Sequence, residues 1–108
     1  MRLPNPDPIY TIPANFRRIA SGIAKKNGIT IEQVGVLVLI RAYGEVTQIG
    51  GAKLAGYHKE HWRGLLLGLV ELGYLDVEIN YKAENLYFLS SKGDYLIRGY
   101  TILMRRAI

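Results

Sequence analysis

The chain contains no cysteine, which removes disulfide frameworks, thiolate metal sites and thiol nucleophiles together. Packing alone must hold the fold. No apolar run approaches the roughly 18 to 20 residues a spanning helix needs. The first residues, MRLPNPDPIY, lack the continuous apolar block of a secretion signal, so the expected location is cytoplasmic, with no membrane partner. Acidic charge is scarce: 9 acidic against 14 basic residues leave a net charge of +5, which favours polyanionic partners by long-range attraction without specifying one. There are only 2 histidines, His58 and His61, with Glu60 between them. Two imidazoles without a third committed ligand make a poor metal site, and HKEH is not the metalloprotease HExxH, so capping or DNA contact suits them better. No GxxxxGK or GxGxxG surrounds Gly50 and Gly51, no serine, histidine and acid suggest a triad, and no carboxylate pair is placed for acid and base work. We therefore expect no enzyme, no metal and no cofactor.

What is present suits one globular domain. At 108 residues, 49% apolar and 21% charged, the chain is long enough for a single core and too short for two. Residues 47–73, TQIGGAKLAGYHKEHWRGLLLGLVELG, organise the rest. They read as two short helices joined by a tight turn, the first from Thr47 to Gly56, because threonine accepts from free amides and glycine adopts the left-handed stop. The second runs from about His58 to Gly73. Its Trp62, Leu65, Leu66 and Leu69 recur at three or four residues and make one inward stripe. Lys59, Glu60 and Arg63 occupy the opposite face, the one a helix-turn-helix presents to a major groove.

Before this pair, residues 1–12 carry Pro4, Pro6 and Pro8 and read as an extended arm. Ile9, Tyr10 and Ile12 anchor its far end, either on a second subunit or along its own domain. A single domain over 13–108 follows. Helix 1 is expected from Pro13 to Asn27, with Phe16, Ile19, Ala20 and Ile23 buried. Arg17, Arg18, Lys25 and Lys26 lie outside that stripe, as a solvated face or as phosphate contacts. Helix 2 opens with a capping box, Thr30 and Gln33, flanked by Ile29 and Val34 as a hydrophobic staple. Val34, Leu37 and Val38 with Val36, Leu39 and Ile40 make it apolar almost all round, a central helix that ends at Gly44. After Gly73, Tyr74 to Ile79 and Leu86 to Leu89 alternate as two strands around a turn-rich Asn80 to Asn85, with Lys82 beside Tyr81. The last helix begins at Ser90 or Ser91, with Asp94 near its positive end. Leu96, Tyr100, Leu103 and Ala107 form one stripe and Ile97, Thr101, Met104 and Ile108 another. That surplus of apolar surface predicts a homodimer through this helix, with Leu103 and Met104 at its centre and Leu96, Tyr100, Phe16 and Tyr10 contributing.

The order of elements resembles the winged-helix regulators of the MarR type over residues 30–98. The residues that carry the resemblance are Thr30 with Gln33, Gly44, Thr47-Gln48, Gly56, Leu65, Leu66 and Leu69, Gly73-Tyr74-Leu75, and Leu89-Ser90 with Lys92-Gly93. It implies a mainly α winged helix-turn-helix fold of about five helices with a two- to three-stranded antiparallel wing. It implies also a homodimeric, sequence-specific regulator of double-stranded DNA. By position, Lys59, Glu60 and Arg63 face base edges, Gln48 and Lys53 approach the backbone, and Lys82 sits at the wing tip; each is otherwise an ordinary exposed polar residue. The chain departs from the family where leucine-like positions are Gly51 and Ala55 and a small branched one is Trp62, a volume swap in which the indole fills the vacated space. Gly64 and Gly68 replace polar or basic residues. Leu67, Val70 and Leu72 add apolar surface that suits a protein partner, the alternative reading. The last family helix has no counterpart, so a dimer must use helix 1, the arm and the last helix.

Overall fold

The computed structural model describes the backbone of residues 8–107 and the side chains of 16–103 and 105. Five helices and three strands follow in order: α1 (Pro8–Asn27), α2 (Ile31–Tyr43), β1 (Glu45–Thr47), α3 (Gln48–Ala55), α4 (Lys59–Glu71), β2 (Leu75–Ile79), β3 (Asn85–Leu89) and α5 (Ser91–Ala107). This is the expected winged-helix order. One boundary differs: α1 starts at Pro8 instead of Pro13, so residues 8–12 are helical where an extended arm was expected. The fixed φ and missing N–H that suit proline to a first turn act at Pro8 as well as at Pro13. The rest of the expected arm, Ile108, and the side chains of Tyr10, Met104 and Ala107 lie outside the described residues.

Helix α2 is the centre. Its capping box is complete, with Thr30 Oγ1 accepting from Gln33 N at 3.1 Å and Gln33 Oε1 accepting from Thr30 N at 3.0 Å. The stapling pair Ile29 and Val34 is buried, as are Val36, Leu37 and Ile40, so α2 packs on α1, α4, α5 and β3. From α1 the core takes Ile19, Ala20 and Ala24, with Phe16 and Ile23 half-buried beside them.

The sheet is antiparallel in the order β1-β3-β2, with Val46, Tyr87 and Val77 in register across it. Side chains alternate faces along a strand. One face therefore carries Val46, Tyr87, Val77 and Leu75 toward the core side. Its other face carries Glu45, Asp76 and Glu78 around Phe88 and Leu86. Helix α5 docks closely on the β2 entry, since a Cβ at Gly93 would overlap the Tyr74 carbonyl. Ser90 fixes that corner by donating from Oγ to Gly73 O and accepting from Gly93 N at 3.0 Å. Of the two stripes expected on α5, Ile97 and Tyr100 turn inward and Leu103 is exposed, as are Tyr95 and Ile102, which belong to neither stripe.

Candidate nucleic-acid interface

Helix α3 is capped by Thr47, whose Oγ1 accepts from Gly50 N at 3.0 Å. Gly56, at φ 76°, ψ 22°, then turns the chain with the left-handed backbone that glycine adopts without a Cβ clash. Helix α4 is capped by His58, whose Nδ1 accepts from Glu60 N at 3.2 Å. His58 is thus a cap. Between the two helices the expected exchange of volume is present. Trp62 is fully buried, and a Cβ at Gly51 would lie 2.5 Å from its ring. Tyr57 stacks on the same indole at a centroid distance of 6.3 Å. This seam sets α4 rigidly against α3.

With Trp62, Leu65, Leu66 and Leu69 buried, the ~100° advance per residue fixes what α4 shows outward. Its outermost line is Glu60, Gly64, Leu67 and Glu71, all exposed; Lys59 and Arg63 flank it on one side, His61 on the other. His61 Nε2 lies 3.0 Å from Glu32 Oε2, tying α4 to the start of α2. That contact holds the Glu32 carboxyl below its usual range, chiefly through the hydrogen bond from His61. Gly68, expected on the surface, is half-buried: a Cβ there would come within 2.8 Å of Gln33 Nε2. Glycine there makes room for the side chain that caps α2.

Lys53, Lys59, Arg63 and Lys82 are exposed, and none enters an ion pair among the described residues, where the pairs are Arg41–Asp94, Arg98–Asp94 and His61–Glu32. Gln48 is half-buried and accepts from the Tyr87 hydroxyl at 3.4 Å, so part of its capacity goes to the sheet. At the wing tip Asn80 Oδ1 accepts from Lys82 N at 2.8 Å and Glu84 N at 3.0 Å. That turn projects Tyr81, 92% exposed, with Lys82 Nζ 5.7 Å from its ring centroid. Tyr81 was not among the expected contacts; its signal was an aromatic inside a polar turn. Tyr100, expected at a subunit interface, is buried in its own core against Phe16, at a centroid distance of 5.9 Å. Leu96 is half-buried and Leu103 is exposed. Among the described residues no group of three or more metal-ligating side chains converges, and no helix is long and apolar enough to cross a membrane.

A capped helix pair closed by Gly56, with a β2–β3 hairpin and β1 completing the sheet, defines a winged helix-turn-helix domain. Solved structures with this fold include MarR-type regulators. Wild-type MarR from E. coli, in its apo form, matches with a TM-score of 0.77 at 19% identity, over 99% of this chain and 80% of that one. MepR from S. aureus, in a complex with DNA, matches with a TM-score of 0.75 at 18% identity, over 92% and 83%. A MarR mutant from E. coli complexed with operator DNA matches with a TM-score of 0.72 at 21% identity, over 88% and 69%. No family model and no curated protein sequence matches. The likeness at these identities is one of fold.

Proposed function

We propose that this chain is a sequence-specific DNA-binding regulator that acts as a homodimer, with α4 in the major groove and the wing tip on the backbone. The observation that carries the reading is the α4 face. It is held outward by the buried Trp62–Gly51 contact and bordered by Lys59 and Arg63, neither of which enters an ion pair among the described residues. Lys59, Glu60 and Arg63 take the base edges, while Gln48 and Lys53 approach the backbone and Lys82 the phosphate beside the wing. The dimer forms through α5 and α1, where Tyr95, Ile102 and Leu103 are exposed beside a groove of about 880 Å³ that Gly22, Ile23, Leu96 and Gly99 help to line. Leu96 lines that groove, Phe16 is half-buried on α1 against Tyr100, and Tyr10 and Met104 belong to the same two helices. A second reading is a protein-binding module working through Leu67 and Val70. It draws on Leu67 and Leu72, which are 45% and 44% exposed.

Selection from a random-sequence duplex pool at low salt tests the first reading. A DNA binder enriches a defined site, and with Lys53, Lys59, Arg63 and Lys82 as the four cations that this face offers per subunit, its salt slope should be no steeper than about −7 at ~0.9 per phosphate. Arg63→Ala should reduce preference for that site by about 1–3 kcal/mol if it reads a base. Lys82→Ala should weaken all sequences alike, because phosphate contacts position without specifying. No enriched duplex, together with a protein partner whose capture Leu67→Glu abolishes, would establish the second reading.

A further inference from the structure

Four helical glycines are accounted for by what a Cβ would strike: Thr47 Oγ1 at Gly50, the indole at Gly51, Gln33 at Gly68 and the Tyr74 carbonyl at Gly93. Gly22, Gly64 and Gly99 meet nothing within 4 Å among the described residues. Gly22 and Gly99 border the α1–α5 groove. Gly64 alone lies on α4, exposed, in the middle of the helix, and with no left-handed φ that would call for glycine. Alanine is the better helix former there, and no contact among the described residues supplies a cause for glycine.

Its place on the helix supplies one. Gly64 stands at the middle of the outermost line of α4, between Glu60 and Leu67. A helix with its side chains is about 10–12 Å across and the major groove about 12 Å wide. A side chain on the outermost line therefore sets how deeply the helix can lie. We propose that Gly64 is the point of closest approach of α4 to DNA, a notch that seats the helix deep in the major groove and brings Leu67 against the 5-methyl group of a thymine. The inference rests on the DNA-binding reading above. Apolar side chains read the thymine methyl directly, and carboxylates such as Glu60 accept from the cytosine amino group. A line of Glu60, notch, Leu67 and Glu71 thus has partners among base edges and none among phosphates. Lys59 and Arg63, exposed beside the notch, keep the base edges assigned to them above, acceptors that an apolar protein surface would not supply.

The test uses the full chain and the duplex that it enriches from a random pool at low salt. Gly64→Ala is expected to raise the melting temperature, as alanine favours the helix, and to weaken that duplex at least about tenfold, the scale of one lost base contact. Replacing the thymines of the site by deoxyuridine should weaken the wild type and leave Leu67→Ala unchanged. A Gly64→Ala protein that melts higher and binds as tightly as the wild type overturns the inference while leaving the DNA reading intact. A lower melting temperature overturns its premise, and indifference of the wild type to deoxyuridine removes the Leu67 contact. Failure to enrich any duplex refutes the DNA reading and this inference with it.

Discussion

Gly51→Ala should destabilise this protein even though alanine is the better helix former. Within α3 the exchange gains about 1 kcal/mol from propensity. Against it, the new Cβ would stand 2.5 Å from Trp62 Cζ2, 2.8 Å from Cε2 and 2.9 Å from Nε1. The indole has nowhere cheap to go, since it is fully buried with Tyr57 stacked against it. Overpacking a filled core costs about 1–3 kcal/mol, which leaves a net loss of up to about 2 kcal/mol after the propensity gain. In a domain of this size each kcal/mol moves the melting temperature by roughly 4–8 °C. Trp62 is the only tryptophan, so its fluorescence reports urea unfolding, with far-UV circular dichroism as the second probe.

The decisive measurement is a double-mutant cycle with Trp62→Leu. A smaller side chain at 62 frees the space beside Gly51, so in that background Gly51→Ala should be neutral or stabilising, with a coupling of about 1 kcal/mol or more. Trp62→Ala should cost about 3–5 kcal/mol. The loss falls toward the lower end because the buried Nε1 finds no acceptor among the described residues, and removing an unsatisfied donor relieves a desolvation cost. Equal effects of Gly51→Ala in the two backgrounds, or a gain in stability in the wild type, would refute the volume swap.

Sedimentation at micromolar concentration should show a dimer that Ile102→Glu or Leu103→Glu converts to a monomer, because both side chains are exposed and apolar on α5; a monomeric wild type would contradict the proposed assembly. Asp94 is held below its usual range, first by its hydrogen bond from Arg98 and further by Arg41. A lowered folded value stabilises above the ordinary aspartate range and loses that contribution as pH falls through about 4 and below. Asp94→Asn should therefore lower stability at neutral pH, and the gap to the wild type should close in acid. A gap that stays constant down to pH 2 would show that the pair contributes nothing through its charge.

What was legible in the sequence was what local chemistry determines. Thr30 with Gln33 and Thr47 before α3 announce helix starts because a cap is satisfied within three residues, and each is in place. The burial of Trp62 beside Gly51 was legible because a core conserves volume. The start of α1 was not, since Pro8 and Pro13 satisfy the same first-turn rule. On α5 the period alone left two adjacent apolar stripes, and only packing against α1 and α2 shows that Ile97 and Tyr100 belong to the chain's own core. Gln48 accepting from Tyr87 and His61 meeting Glu32 join residues far apart in sequence, which no local pattern announces.

The charge that makes the chain basic also lies away from where a reading helix would use it. Arg17, Arg18, Lys25 and Lys26 are exposed on α1, and Lys92, Arg98 and Arg105 on α5, whereas the outermost line of α4 holds Glu60 and Glu71. Glu45 and Asp76 both stand opposite Phe88, and Glu78 opposite Leu86 two residues earlier, so all three carboxylates share one face of the sheet. A phosphate backbone laid on that face would meet like charge at each of them. Under the proposed reading the wing must therefore engage by its tip, Tyr81 and Lys82, and not by its sheet. Long-range attraction then comes largely from α1 and α5, which raises the rate of encounter, while discrimination between sequences falls to the few groups on α4 that reach base edges.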